Sequence, residues 1–331
     1  MLLPKKMNKN LVHHDLLSAK NWILANQNTE GAILWDQKGK WDNWDHCECL
    51  IALAIYEEWE AFNKGINFSL KKLDEKGLVR SEYINGLVSK DFSEAHHASY
   101  IFLPLLQKYL IDNDVDYLKK FRTKIHKIYG ALKNFKNGDG FYYWAFDDNG
   151  YSDNSLITAT CSIELSRRAY NKICEIIGDT SYADSSAAIT QDMLKSKRFN
   201  RDGIDRSRFS MDAYYPLLCN CGDKKEATKV LQKFYVEGRG VKCVVEEPWV
   251  TMAESSECVI ALYKIGMRAE AEKIFKEILQ YKNTAGYFPT GYQYSLDVFW
   301  PEENSTWTNA AIIMAADCLY DISGSEKVIL L

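Results

Sequence analysis

The stretch DNWDHCECLIAL, residues 42–53, joins a polar half to an apolar half. Its second half, CLIAL at 49–53, is typical of a buried helix. Its first half packs two aspartates, a tryptophan, a histidine and a glutamate into residues 42–48. Such a start can be a helix cap, a metal site or one part of a pocket. Which of these applies depends on whether the rest of the chain repeats the arrangement.

Helical periodicity dominates the rest of the chain. The apolar positions predict helices at about 11–26, 44–61, 66–76, 93–111, 114–136, 154–178, 181–197, 211–220, 223–236, 251–265, 267–282 and 305–321. Short links such as NCGD at 220–223 alternate with long links that are rich in glycine, aromatic and acidic residues. In two long links, INGL at 84–87 and DDNGY at 147–151 indicate β-hairpins.

A unit of outer helix, long loop and inner helix therefore recurs six times along the chain. Helix pairs in series form either an open solenoid or a closed ring, and six pairs without capping repeats favour closure. The sequence predicts an all-α (α/α)6 toroid with short β-hairpins in the long loops. We expect a single domain over 1–331, with a loose N-terminal arm at 1–10. A plain helical solenoid is the alternative.

In a closed ring, the long loops and the N-terminal ends of the inner helices lie on one side. These ends favour carboxylates and hydroxyl groups, because their N–H groups are unpaired and their dipoles are positive. Acidic and aromatic residues stand at the predicted ends. Those predicted to bind a substrate are Trp44, Asp45, Asp212, Tyr214, Tyr215, Trp249 and Trp307. The opening stretch is thereby predicted to form one sector of a shared pocket.

Helix capping is a simpler interpretation of some acids. Asp42 or Asn43 can cap the helix at 44–61, and Thr251 with Glu254 fits a capping box. Capping does not explain why tryptophans accompany the acids.

A metal site is a second local interpretation, and we predict no metal and no cofactor. The residues of HCEC at 46–49 are consecutive on a helix and point in different directions, so they cannot share one ion. His96 and His97 are adjacent, and such pairs are more often a cap or core feature than ligands. Phosphate loops, a GxSxG elbow and a dinucleotide fingerprint are absent from the sequence.

Composition excludes other classes of partner. The net charge of −4 gives no electrostatic reason to expect nucleic acid, and no apolar run approaches the length of a membrane span. The nine cysteines are an odd number, and several lie inside apolar helical runs. Because the sequence shows no signal peptide, we expect a reduced cytoplasmic location.

A pocket lined by carboxylates, tryptophans and tyrosines suits a small-molecule substrate, and a saccharide in particular. Two carboxyl groups can cleave a glycosidic bond, one as general acid and one as base or nucleophile. We predict Glu48 and Glu254 as this pair, with Glu247 and Glu303 as further candidates. The alternatives are a terpenoid cyclase or prenyltransferase-like enzyme, whose aromatic pocket would stabilise carbocations, and a non-catalytic sugar-binding protein.

Four segments carry a resemblance to a known family. They are GAILW with DNWDHCECLIAL, then SMDAYYPLL, then GVKCVVEEPWVTMAESSECVIAL, and then GYFPTGYQY with WPEENSTWTNAAIIMAADCL. Their order resembles bacterial proteins labelled prenyltransferase-like, whose α/α toroid is shared by terpenoid cyclases, protein prenyltransferases and six-hairpin glycosidases. The resemblance covers about residues 20–320 and implies the toroid fold. It also implies three more substrate-binding residues, namely His46, Tyr292 and Trp300. The D-x-D-D motif of terpenoid cyclases is not found here.

Overall fold

The computed structural model describes residues 9–331, and most of them lie in helices. The helices are α1 (Lys9–Asp15), α2 (Leu17–Ala25), α3 (Asn43–Ile55), α4 (Trp59–Lys71), α5 (Phe102–Asp112), α6 (Val115–Lys120), α7 (Arg122–Lys133), α8 (Ile157–Ile177), α9 (Gln191–Leu194), α10 (Ser210–Leu218), α11 (Lys224–Phe234), α12 (Met252–Lys264), α13 (Arg268–Ile278) and α14 (Thr306–Tyr320). The predicted arm at 1–10 lies outside the described residues up to residue 8, and Lys9 begins α1.

Six helices form a closed inner ring. In ring order they are α3, α5, α8, α10, α12 and α14, and α14 packs against α3 to complete the circle. Every residue of α14 from Thr306 to Leu319 is buried, so no face of this helix is exposed to solvent. An inner helix enclosed by a second layer of helices has this pattern. The closed ring confirms the predicted (α/α)6 toroid.

The outer layer consists of amphipathic helices. In α13 the buried residues are Ala271, Ile274, Phe275 and Ile278, at the spacing of one helix face. The helices α2, α4, α6, α11 and α13 pack against α14, α3, α5, α10 and α12 respectively. This pairing of each outer helix with an inner neighbour buries both apolar faces in one continuous core.

One outer helix of the prediction does not form. The segment 181–197 contains one α-helix, the four-residue α9. 3₁₀ turns at Thr180–Tyr182 and Lys197–Phe199 lie at its two ends, and the rest is irregular. Asp184 forms a local hydrogen bond to the backbone, in which its Oδ1 accepts from the Ser186 N–H at 2.7 Å. Asn171 of α8 bonds the Asp184 backbone through both its side-chain oxygen and nitrogen. Side-chain bonds therefore replace the helical ladder in this sector.

Two helix starts also differ from the prediction. The helix predicted at 66–76 is α4, which begins at Trp59. It begins earlier because α3 ends at Ile55 and Glu57 has a left-handed backbone with φ 55°. The helix predicted at 93–111 begins with a 3₁₀ turn at Ser99–Ile101, because Ser93 and Glu94 pair in a strand.

Short strands decorate the loop side of the ring. They are β1 (Lys40–Trp41), β2 (Glu82–Ile84), β3 (Leu87–Lys90), β4 (Ser93–Glu94), β5 (Ala145–Asp147), β6 (Gly150–Tyr151), β7 (Tyr235–Val236), β8 (Gly240–Lys242), β9 (Trp249–Thr251), β10 (Gly291–Gln293) and β11 (Val298–Phe299). They form antiparallel sheets in the orders β1-β2-β3, β4-β5-β6 and β11-β10-β9-β8-β7. The two predicted hairpins are β2–β3 and β5–β6; Asn85 and Gly86 have positive φ, as a tight hairpin turn requires.

Candidate active site

Residues near the N-terminal ends of three inner helices pack together. Ala253 of α12 packs with Trp307 and Ala311 of α14, and Trp35 and Met211 lie against this cluster. Met211 is in the first turn of α10, and Trp35 comes from the loop before α3. Residues near the ends of α10, α12 and α14 therefore come together here, and the convergence of all six ends stays a prediction.

Glu48 of α3 is a buried carboxyl group with three hydrogen-bond donors. Its Oε1 accepts from Trp44 Nε1 at 3.1 Å and from the Tyr100 hydroxyl at 2.9 Å. Its Oε2 accepts from Trp307 Nε1 at 2.8 Å, so the bonds join three elements of the ring. The side chain is buried, and burial raises the pKa of Glu48 from its ordinary value of 4.5 to about 7.

Glu257 of α12 is a second buried carboxyl group, and the sequence analysis did not select it. It accepts hydrogen bonds from the hydroxyl groups of Tyr214 and of Tyr215, the latter at 2.9 Å. Burial first, and the charge of Glu48 second, raise the pKa of Glu257 well above its ordinary value. The signal that could have found it is its position three residues after Glu254, on the same helix face.

Trp44 connects these two carboxyl groups. Its ring meets the Tyr215 ring edge-on with centroids 6.0 Å apart, and the Tyr100 ring edge-on at 5.7 Å. Glu48 therefore holds Trp44 and Tyr100, Glu257 holds Tyr215, and the aromatic rings pack together between them. We call Trp44, Glu48, Tyr100, Tyr214, Tyr215, Glu257 and Trp307 the aromatic floor.

Asp45 lies nearer to solvent than Glu48, in the first turn of α3. Asp42 caps this helix by accepting the Asp45 N–H at 2.9 Å, which confirms one of the two predicted caps. The Asp45 carboxylate lies 3.9 Å from Lys40 Nζ, and its side chain is 16% exposed. Burial first, and the charge of Asp42 second, raise the pKa of Asp45 well above its ordinary value.

Glu254 holds the corresponding place in the first turn of α12. The predicted capping box is not formed in the described structure, because Thr251 makes no side-chain cap and its hydroxyl group is buried without a partner. Glu254 lies close enough to Cys243 for its charge, after burial, to raise the pKa of that thiol. The glutamate is therefore free of the capping role that was its main alternative.

His46 is part of the core between α3 and α4, although the sequence analysis placed it in the pocket. Its Nδ1 accepts from the Ile33 N–H at 3.1 Å, and its Nε2 donates to the Gly65 carbonyl at 3.1 Å. The ring is fully buried, and burial lowers the pKa of His46 from 6.5 to about 4. A neutral imidazole with both nitrogens bonded ties the loop at Ile33 to α4 and has no nitrogen left for a ligand.

Asp212 connects two inner helices below the rim. Its Oδ1 accepts from the N–H and the hydroxyl of Thr158, at 3.1 and 2.5 Å, and its Oδ2 accepts from Arg206 Nε at 3.2 Å. All its acceptor atoms are thus used within the protein. This arrangement gives Asp212 a positioning role at the junction of α8 and α10.

The remaining predicted residues lie on the five-stranded sheet and its surroundings. Trp249 Nε1 donates to the Trp300 carbonyl at 2.7 Å, and the two rings meet edge-on at 5.0 Å. With Glu247 they line a cavity of about 520 Å³ on the loop side. The Tyr292 hydroxyl donates to Asp297, which lies in the connection between β10 and β11. Trp249 thus faces a cavity separate from the buried aromatic floor, whereas one cavity lined by both was predicted.

Glu303 precedes α14 and lies at the rim. Its Oε1 accepts from Trp35 Nε1 at 3.0 Å and from the Thr290 hydroxyl at 3.3 Å. It therefore positions Trp35 against the central cluster.

Comparison with known proteins shows which proteins this chain is similar to. No protein-family model matches the chain. The chain is 27% identical over 297 residues to the MMP endo-(1,4)-3-O-methyl-alpha-D-mannosidase of Mycolicibacterium hassiacum, covering 88% of this chain and 82% of that protein.

Solved structures with the same fold include a D-mannose isomerase (TM-score 0.69, 10% identity, 96% of this chain and 99% of that chain). A glycosidase in complex with glucose has a TM-score of 0.65 at 10% identity, covering 94% of this chain and 97% of that chain. A cellobiose 2-epimerase from Bacillus thermoamylovorans has a TM-score of 0.61 at 12% identity, covering 95% and 99%. These likenesses show the fold.

The class is therefore a glycosidase-like enzyme on an (α/α)6 toroid. The prenyltransferase-like part of the resemblance stays a prediction. Among the helices of residues 9–331, none is long and apolar enough to cross a membrane.

Proposed function

We propose that this chain hydrolyses α-linked mannosides, including O-methylated ones, with Asp45 and Glu254 as the acting carboxyl groups. The observation that carries the substrate class is the 27% identity with a mannosidase over 88% of this chain. Support for the chemistry comes from acids in the first turns of two inner helices, Asp45 of α3 and Glu254 of α12, with Trp44 next to Asp45 in the chain.

The assignment rests on two tiers of acids. On α3, Asp45 is followed three residues later by Glu48, and on α12, Glu254 is followed three residues later by Glu257. Residues three apart share a helix face, so each pair has one acid in the first turn, at the rim, and one a turn deeper. Asp45 is half-buried and Glu48 buried, whereas Glu254 and Glu257 are both buried. The deeper acids accept hydrogen bonds from buried aromatic side chains and hold the floor. The rim acids are the ones that remain for a substrate.

Asp45 suits the proton donor. A general acid needs to be protonated near neutral pH, and burial together with Asp42 raises the pKa of Asp45. Its side chain also keeps some exposure. Glu254 then acts as the base or nucleophile. Glu48, which the sequence analysis placed in the pair, becomes a positioning residue that orients Trp44 and Trp307. Glu247 and Glu303 stay outside the pair.

The test uses α-1,4-linked mannose oligosaccharides, with and without 3-O-methyl groups, and measures new reducing ends and product masses. Asp45→Asn and Glu254→Gln should each lower kcat by about 10²–10⁴-fold while binding, measured by calorimetry, is retained. Glu270→Gln, at an exposed position on α13, is the matched control and should be unchanged. Full activity of either rim variant would overturn the assignment.

The oligosaccharide assay, run beside an assay with an isoprenoid diphosphate, separates the remaining alternatives. Binding of the oligosaccharides without new reducing ends would indicate a non-catalytic sugar-binding protein. Turnover of an isoprenoid diphosphate instead of any saccharide would indicate the terpenoid alternative. We retain the single domain over 1–331 and the cytoplasmic location as proposals, and the nine free thiols agree with a reducing compartment.

A further inference from the structure

Two histidines and a glutamate lie together beside the aromatic floor. Glu94 is in β4, and His96 and His97 follow it before the 3₁₀ turn at Ser99–Ile101. One side-chain ligand atom from each of the three residues lies within 4.8 Å of the others. The ring of His96 meets the ring of Trp44 edge-on at 4.8 Å. The cluster is thus adjacent to the candidate active site and uses none of its acids.

The histidines have buried nitrogens without partners. In the described structure, neither ring nitrogen of His96 has a hydrogen-bond partner, although the residue is 1% exposed. The Nδ1 of His97 is also unpartnered, and that residue is 5% exposed. Most buried polar atoms in proteins are hydrogen-bonded, and leaving one unpaired costs about 1–3 kcal/mol. Orphaned nitrogens in one place therefore indicate a ligand between them.

Glu94 is held in a fixed orientation. Its Oε1 accepts from the Ser81 hydroxyl, and its Oε2 accepts from Trp144 Nε1 at 3.1 Å. Each carboxylate oxygen keeps a further lone pair. His97 Nε2 lies 3.8 Å from Oε1 and His96 Nε2 lies 4.0 Å from Oε2, so both rings face the carboxylate.

We propose that Glu94, His96 and His97 bind a divalent transition-metal ion, with Zn²⁺ as the best-fitting ion. Two imidazoles and a carboxylate form a recognised zinc ligand set, with a fourth position open to water or substrate. Ligand atoms around tetrahedral zinc are about 3.4 Å apart. The two histidine–carboxylate spacings of 3.8 and 4.0 Å need to close by about half an ångström, and the widest spacing in the set, within 4.8 Å, by up to about 1.4 Å. Ser81 and Trp144 supply the outer hydrogen bonds that orient a carboxylate ligand.

A neutral imidazole is the form that coordinates a metal. The proposal stands independently of the mannosidase proposal, because it concerns binding of the ion itself.

The experiment uses the full chain after tag removal and treatment with a chelator. Titration with ZnCl₂ in a calorimeter should give one equivalent bound per chain. Titration with CoCl₂ should give the visible absorption bands of a low-coordinate cobalt site and quench tryptophan fluorescence, since Trp44 and Trp144 adjoin the ligands.

His96→Gln and Glu94→Gln should each weaken binding of both ions by at least about 100-fold. His14→Gln is the control, because His14 is exposed and its substitution should leave the binding unchanged. Circular dichroism checks that each variant is folded. If His96→Gln does not fold, Glu94→Gln, whose site is only half-buried, provides the test of binding. Absence of stoichiometric binding, or binding that both ligand variants retain, would overturn the proposal.

Discussion

The buried carboxyl group of Glu48 should make the stability of the protein depend on pH in a defined direction. Burial raises its pKa from 4.5 to about 7. Between these values the folded protein keeps the Glu48 proton while the unfolded chain loses it, so the free energy of unfolding falls as the pH rises. At about 1.4 kcal/mol for each pKa unit, the loss is about 3 kcal/mol once the pH exceeds 7.

The substitution Glu48→Gln isolates this effect, because glutamine resembles the protonated acid and cannot ionise. We expect the unfolding free energy of the wild type, minus that of the variant, to fall by about 3 kcal/mol between pH 4.5 and about pH 8. Urea denaturation followed by circular dichroism across this range measures it. Glu270→Gln on the exposed face of α13 is the control. A difference between wild type and Glu48→Gln that stays constant with pH would refute the reasoning.

Three further predictions concern the scaffold of the site. Gly65→Ala should cost about 1–3 kcal/mol, because the new Cβ would lie 2.4 Å from Leu50 Cδ2, whereas Gly130→Ala has nothing within 4 Å and should gain about 0.5–1 kcal/mol. Melting temperatures that shift in the same direction for both variants would contradict this. His46, whose pKa burial lowers to about 4, should support stability above pH 6.5 and lose that contribution as the pH falls toward 4. An NMR titration of its ring should show a midpoint near 4, and a midpoint near 6.5 would show that the ring is solvated. Asp42→Ala removes the cap of α3 and should cost about 1 kcal/mol in chemical denaturation, with Asp42→Asn restoring most of it; equal loss in both would exclude capping as the cause.

Most of the fold could be predicted because it rests on a repeated pattern. Apolar periodicity identified all six inner helices, and the alternation of short and long links gave their arrangement in a ring. The exception is the outer segment at 181–197, where apolar residues suggested a helix. Side-chain bonds to the backbone of Asp184 come from Asn171 on another element. Such a contact depends on tertiary structure, which local periodicity does not contain.

The sequence also predicts the side of the ring that carries the candidate site, which stays a prediction, but it does not predict the environment of each residue. His46 and Asp45 are neighbours in sequence, yet one points into the layer between α3 and α4 and the other toward the rim. A rotation of about 100° per residue separates these environments. The sequence gives the helix, and only packing against Gly65 fixes which face meets the outer layer.

The two pairs of acids show what a repeat does allow one to infer. Asp45 and Glu48 on α3, and Glu254 and Glu257 on α12, have the same spacing, with one acid in the first turn and the other one turn deeper. An acid one turn into an enclosed ring must be neutralised by hydrogen-bond donors, because water cannot reach it. The tyrosines and tryptophans around Glu48 and Glu257 meet that requirement. Asp45 is 16% exposed and has less need of such donors, whereas Glu254 is buried at 6% exposed. The proposed division of roles therefore rests on exposure in α3 and on position along the helix in α12.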